Sequence, residues 1–200
     1  MGTAHEQNGS SIIIPREDAM RIRGLVCGVD GVLTNGLVGY TERRNEIHFF
    51  DTRDGLAMRL ASWYGLQIAW VTGRISAHIS QRAQDLDIRV YPGYSNKELG
   101  LRAIAHDFDL PYSEIAYVGD DLNDLLALRV VGFPIAVANA SPEVKAEAHY
   151  TTRAAGGDGA VREIIEAILR SQGRWDDAVN NYLAVLREPE RVAKMPRTEE

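Results

Sequence analysis

A chain of 200 residues with 45% hydrophobic content can bury a sizeable core, most economically as one domain. Its 22 Lys and Arg face 28 Asp and Glu, and the formal charge of −6 argues against nucleic acid as the main partner, because polyanion binding needs clustered positive charge. No apolar stretch is long enough to cross a bilayer, and a lone cysteine, Cys27, cannot form an intrachain disulfide, which suits a reducing cytoplasm.

The first eleven residues are polar and lack the apolar core of a signal peptide, so residues 1–20 read as a leader, loose at its start. Short apolar runs at 25–29, 66–71, 88–91, 115–118 and 133–137 are bounded by Gly, Pro or Asp, which fits buried strands. Between the first of these and the first helix, residues 37–40 and 46–50 flank the polar Thr41-Glu42-Arg43-Arg44-Asn45. That pattern predicts a β-hairpin over 37–50 that projects from the sheet, with apolar stretches able to pack on another subunit. Helical segments follow at 54–64, 76–85, 96–108 and 121–129, with Leu56, Leu60 and Trp63 on one face of the first. Ser141-Pro142 opens another helix, with a cap followed by proline at its first position. Gly156-Gly157 precedes a last long one from Ala160 to Ser171. Strand–helix alternation predicts an α/β fold, a parallel sheet with helices on both faces. The domain spans 21–173; residues 174–200 read as a C-terminal helix and a charged tail that is poorly ordered from Glu188.

In a parallel sheet, ligands gather outside the carboxyl ends of the strands. The residues there are Asp30-Gly31 after the first strand and Thr72-Gly73-Arg74 after the second. Lys97 follows near the start of a helix, and Gly119-Asp120-Asp121-Leu122-Asn123-Asp124 ends the fourth strand. Together they supply a hydroxyl with free backbone N–H groups, an ammonium and a carboxylate cluster, a combination for a phosphate bridged to a divalent cation. Singly, each has a plainer role. Asp121 or Asp124 can cap a helix, Thr72-Gly73 can be a turn, and Lys97 and Asp30 can be solvated surface. Their order and spacing along one chain are what make the set specific.

The segment Leu25-Val26-Cys27-Gly28-Val29-Asp30-Gly31-Val32-Leu33-Thr34 resembles the opening motif of the haloacid dehalogenase superfamily, Asp-x-Asp-Gly-x-Leu-Thr/Ser, with Gly28 at the position of the first Asp. Five further segments narrow the resemblance: Thr52-Arg53-Asp54-Gly55, Val71-Thr72-Gly73-Arg74, Ser95-Asn96-Lys97, Tyr117-Val118-Gly119-Asp120-Asp121 and Ala155-Gly156-Gly157-x-Gly159-Ala160-Val161-Arg162-Glu163. They are similar to 3-deoxy-D-manno-octulosonate 8-phosphate phosphatases, a subfamily that also contains phosphatases for nine-carbon sialic-acid phosphates. The resemblance covers residues 24–173. It implies a three-layer Rossmann-like fold without a cap domain, Mg2+ as cofactor, a place in lipopolysaccharide biosynthesis, and a homotetramer whose hairpins meet at the interface.

In that family an Asp attacks phosphorus to give an aspartyl-phosphate that water hydrolyses. The resemblance gives Asp30 the proton-transfer role and, through its backbone carbonyl, a place beside Asp120 in the Mg2+ site, with Asp121 and Asp124 behind. Thr72 and Lys97 match the groups that hold the phosphoryl oxygens. Arg53, Asp54, Gly55, Arg59, Gly73, Arg74 and Arg82 match the substrate pocket, where guanidinium groups suit a substrate carrying a carboxylate and a phosphate. Asp51 stands where an Asn is expected. Gly28 supplies neither nucleophile nor metal carboxylate, so the chain reads as a phosphatase lineage with turnover lost or severely reduced. A natural non-catalytic relative that binds a sugar phosphate or a partner enzyme is the alternative.

Overall fold

The structure, a computed structural model, describes residues 14–43 and 45–188. The chain enters through α1 (Arg16–Arg21) and passes into β1 (Gly24–Gly28), the first apolar run, in which all five residues are buried. It leaves the main sheet for β2 (Gly39–Tyr40) and β3 (Glu46–Ile47), then returns through α2 (Thr52–Ser62) to β4 (Gln67–Val71). There follow α3 (Ala77–Asp85), β5 (Arg89–Tyr91), α4 (Lys97–Phe108) and β6 (Ile115–Gly119). The last third holds α5 (Leu125–Leu128), β7 (Phe133–Ala136), α6 (Pro142–Glu147), β8 (Tyr150–Thr151), α7 (Ala160–Ser171) and α8 (Trp175–Arg187).

Six strands form one parallel sheet in the order β5-β4-β1-β6-β7-β8. The chain steps outward from β1 through β4 to β5, then α4 carries it back past β1 to β6. The strand order therefore reverses beside β1, and its carboxyl end opens onto the crevice where such sheets bind ligands. Helices α1, α2, α7 and α8 pack on one another, as do α4, α5 and α6, giving the two outer layers of a Rossmann-like α/β fold. Among the described residues no cap domain is inserted. No described helix is long and apolar enough to cross a membrane.

The hairpin stands as its own two-stranded sheet, shorter than the pattern predicts, with Gly39 opposite Ile47 and Tyr40 opposite Glu46. It leaves Leu37, Tyr40 and Phe49 exposed, while Phe50 at its exit stacks on the core residue Trp70, ring centroids 6.0 Å apart. Two elements go beyond the sequence reading. Residues 14–22, mostly assigned to the leader, join the core through Ile14, Ala19 and Ile22 around α1. The two-residue strand β8 closes the sheet with no apolar run to announce it. The buried face of α2 also differs: Ala57, Met58, Leu60 and Ala61 are buried, whereas Leu56 and Trp63 are half-buried, because Trp63 lies against Tyr182 of α8. The expectations for residues 1–13 and for the tail beyond Glu188 lie outside the described residues.

Candidate active site

Gly28 is the last residue of β1, paired with Val71 at the end of β4. A Cβ added there would lie 3.2 Å from Val32 Cγ2, 3.4 Å from the Val118 carbonyl and 3.8 Å from Asp124 Oδ2. A side chain is therefore admitted once Val32 gives by a few tenths of an ångström. Directly beyond, the Val29 carbonyl accepts hydrogen bonds from the N–H groups of Val32, Leu33 and Thr34. This tight turn is possible because Gly31 takes φ 79°, and it presents Asp30 at the strand end. Asp30 Oδ2 lies 3.2 Å from Arg74 Nε, while Oδ1 is buried with no hydrogen-bond partner among the described residues. Gly31 has a second reason to be glycine: a Cβ on it would overlap Asp120 Oδ2 at 1.9 Å. The Asp120 carboxylate thus lies against the Asp30-Gly31 loop.

Behind Asp120, Asp124 is fully engaged. Its Oδ1 accepts from Tyr117 Oη at 2.7 Å and lies 3.8 Å from Lys97 Nζ; its Oδ2 accepts from Asp120 N at 2.9 Å. Burial, with Asp124 and Asp121 as neighbouring negative charges, pushes the Asp120 carboxyl up to about 7. Asp121 takes the plainer role, capping the short 3-10 turn at 122–124 with its side chain on Leu122 N at 2.8 Å. Lys97 is buried and donates to the Val71 carbonyl at 3.4 Å. It is the first residue of α4, whose N-terminus is capped by the Asn96 side chain. Thr72, also buried, accepts from Arg74 N at 3.1 Å, and Gly73 passes close to Ser95. A buried ammonium, a hydroxyl, a helix N-terminus and two carboxylates of different burial can hold a phosphoryl group and exchange a proton with its leaving oxygen.

The rim is built differently. Arg74 reaches from Asp30 to Glu46 of β3 at 3.6 Å, and Glu46 in turn pairs with the buried ring of His48 at 3.0 Å. The hairpin is thereby tied to the site through a carboxylate that motif reading does not single out. Arg53, at the start of α2, is gripped by Asp51 and by Asp158, and both carboxylates hold its guanidinium more firmly protonated than usual. Arg82 lies over Gly55, where a Cβ would come within 2.8 Å of its Nη2. Two of the residues expected in the pocket have settings unlike that of Arg53. Asp54 is buried and its Oδ1 accepts from Arg162 N at 2.7 Å, capping α7, whose own N-cap Gly159 has no side chain to do so. Its Oδ2 has no partner among the described residues, and burial pushes its carboxyl up to about 7. Arg59 is exposed in the last turn of α2, away from the helix start that carries Arg53. The Gly156-Gly157 pair closes the site from above: a Cβ on Gly156 would meet the Gly31 carbonyl at 1.7 Å, and Gly157 N donates to the Val32 carbonyl at 2.9 Å.

Residues 64–164 match the haloacid dehalogenase-like hydrolase family. The 3-deoxy-D-manno-octulosonate 8-phosphate phosphatase of Escherichia coli K12 is 38% identical over 161 residues, which cover 80% of this chain and 86% of that protein. The chain belongs to this phosphatase family of the haloacid dehalogenase-like hydrolases. Solved structures agree. The Moraxella catarrhalis phosphatase of the same name, in complex with magnesium ion, phosphate ion and KDO, has a TM-score of 0.80 at 34% identity, covering 84% of this chain and 97% of that one. The Yersinia pestis phosphatase gives 0.78 at 36% identity, over 80% and 88%. Against that family frame, the donor set of this chain is thin. Among the described residues no three His, Cys, Asp or Glu side chains stand close enough to hold a metal ion.

Proposed function

We propose that this site binds the phosphate ester of a 3-deoxy-sugar acid together with Mg2+, in the lineage of phosphomonoester hydrolases, and that Gly28 leaves it with little or no turnover. The observation that carries the reading is the position of Gly28. It ends the central strand, within reach of Asp124 and among Asp30, Thr72, Lys97 and Asp120, yet offers no carboxylate to attack phosphorus. Mg2+ commonly takes one or two protein carboxylates and fills its other positions with water and phosphate. Asp120, lying against Gly31, and the Asp30 main-chain carbonyl suit an ion that arrives with its phosphate, and the ion would offset charge on the phosphoryl oxygens. Lys97 and Thr72 hold those oxygens from the β4 side. Asp30, with one carboxylate oxygen on Arg74 and the other without a hydrogen-bond partner among the described residues, takes the proton-transfer role toward the departing sugar oxygen.

Gly28→Asp tests this reading. The nearest contact of the new Cβ is Val32 Cγ2 at 3.2 Å, a side-chain atom that has to give by only a few tenths of an ångström. The variant is expected to release phosphate from 3-deoxy-D-manno-octulosonate 8-phosphate in a Mg2+-dependent reaction, several orders of magnitude faster than the parent. Adding Asp30→Asn abolishes the gain. A folded Gly28→Asp chain that binds Mg2+ and hydrolyses neither this ester nor a nine-carbon sugar-acid phosphate would instead favour a non-catalytic binding protein. A parent chain that already turns over at an ordinary enzymatic rate overturns the role given to Gly28. Exposed Leu37, Tyr40 and Phe49 on the hairpin, with Ile75 beside Arg74, support self-association, read here as a homotetramer, which sedimentation velocity tests.

A further inference from the structure

The guanidinium of Arg53 meets two carboxylates of unlike character. Asp51 holds one edge, accepting from Nε at 3.1 and 3.0 Å and from Nη2 at 2.5 Å, and it also caps α2 by accepting from Arg53 N at 2.6 Å. The Asp51 side chain is only 10% exposed, a fixture of the helix start. Asp158 accepts from the outer hydrogen of Nη2 at 2.7 Å, and its side chain is 76% exposed. It sits between Gly157 at φ 72° and Gly159 at φ 88°, and Gly159 lies beneath the guanidinium, where a Cβ would come within 3.2 Å of Cζ. The remaining edge of the fork, Nη1 and Nη2, is the one that can grip a carboxylate with two parallel bonds. Nη1 makes no hydrogen bond among the described residues, and Asp158 covers the other half.

We infer that Asp158 is a latch on Arg53: its carboxylate stands where the carboxylate of an acidic ligand binds, and that ligand must displace it. The inference rests on the sugar-acid reading of the site and assigns Asp158 as a residue that sets ligand affinity. An exposed ion pair is weak, so displacement lowers affinity only by the fraction of molecules in which the latch is open. Inorganic phosphate, for which Lys97 and Thr72 are the proposed holders, is expected to be indifferent to the latch.

Isothermal titration of the full chain with free 3-deoxy-D-manno-octulosonate and, separately, with inorganic phosphate tests the latch in Asp158→Asn, Asp158→Ala and Asp158→Glu. Loss of the carboxylate in the first two is expected to tighten binding of the sugar acid about two- to fivefold, with the gain shrinking at high salt. Asp158→Glu stays near the parent, and phosphate affinity stays level throughout. Equal sugar-acid affinity in all four proteins overturns the latch and leaves the sugar-acid reading standing. Weaker binding in the Asn and Ala variants also overturns it, making Asp158 a direct contact for the sugar. If no variant binds the sugar acid while phosphate still binds, the sugar-acid reading falls and takes the latch with it.

Discussion

Lys97 and Arg53 are both cations placed against carboxylates, yet they sit in opposite settings. Lys97 is 4% exposed, with its Nζ 3.8 Å from an equally buried Asp124 that Tyr117 and Asp120 N also hold. The Arg53 side chain is 58% exposed and takes its partners from its own helix cap and from a loop 105 residues away. Charges sealed in the interior interact strongly and leave an expensive orphan when one is removed, whereas charges at the rim are screened and exchange partners easily. The end of the site that carries Lys97 is accordingly a fixed frame, and the rim around Arg53 can change partners without touching the fold.

Lys97→Met attacks the fixed frame and carries the largest expected effect. It strands Asp124 beside Asp120 with no cation, a loss of about 3–5 kcal/mol in unfolding free energy. Inorganic phosphate binding falls with it. Urea denaturation combined with phosphate titration reads both. A variant within about 1 kcal/mol of the parent would show that the Lys97–Asp124 pair is no stronger than a surface contact and that the contrast with Arg53 is false.

Asp54 sharpens the contrast from the other side, because its motif places it at the rim and the fold buries it. Its carboxyl is raised to about 7 by burial, so the folded state binds its proton more tightly than the unfolded chain does. Stability from this group is therefore greatest below the unfolded value near 4 and is lost as pH rises through about 7. Asp54→Asn keeps the Oδ1 acceptor for Arg162 N and removes the titration. The variant should lie close to the parent at pH 4 and exceed it by about 4 kcal/mol at pH 8, measured as the difference between two denaturation series. A constant difference across pH would mean that Asp54 is ionised in the fold, held by the α7 N-terminus.

How much of this was legible in the chain follows the same division. The places of Asp30, Thr72 and Asp120 were readable because each stands within two residues of a strand end, and strands announce themselves as apolar runs; Lys97 opens the helix after the next strand. Asp158 and Glu46 were not readable, since their partners lie on separate elements that only the tertiary fold brings together. The burial of Asp54 was not readable either, because a motif position says nothing of the direction in which a helix turns its side chain. The elements α1 and β8 escaped for want of length: six and two residues are too few to display a period.

Gly156→Ala tests whether the frame tolerates a change made from above. The new Cβ meets the Gly31 carbonyl, a backbone atom that cannot swing aside, so the 156–159 loop or the Asp30 loop must move. Overpacking of this kind is expected to lower stability by about 2 kcal/mol. The same movement breaks the bond from Gly157 N to Val32 and displaces Asp30, so phosphate affinity should fall beyond what unfolding explains. Unchanged phosphate affinity at reduced stability would confine the loop's role to packing.

Glu46→Gln should have the smallest effect, and its pH dependence makes it informative. Glu46 joins the hairpin to the site through His48 Nε2 at 3.0 Å and Arg74 at 3.6 Å, and its carboxyl is held below the usual range, first by the hydrogen bond with His48. A depressed carboxyl stabilises the fold above its unfolded value and ceases to do so as pH falls through the folded value. The amide can still accept from His48, and Arg74 keeps Asp30 at 3.2 Å. Only a partly screened charge is lost, worth below about 1 kcal/mol at neutral pH. A denaturation series from pH 7 into acid checks the sign: the small deficit present at pH 7 should close as pH falls through the carboxyl's lowered folded value, where the parent too loses the charge. A deficit above about 2 kcal/mol at pH 7 would place Glu46 with the fixed frame rather than the rim, and the hairpin would then be anchored as firmly as Lys97.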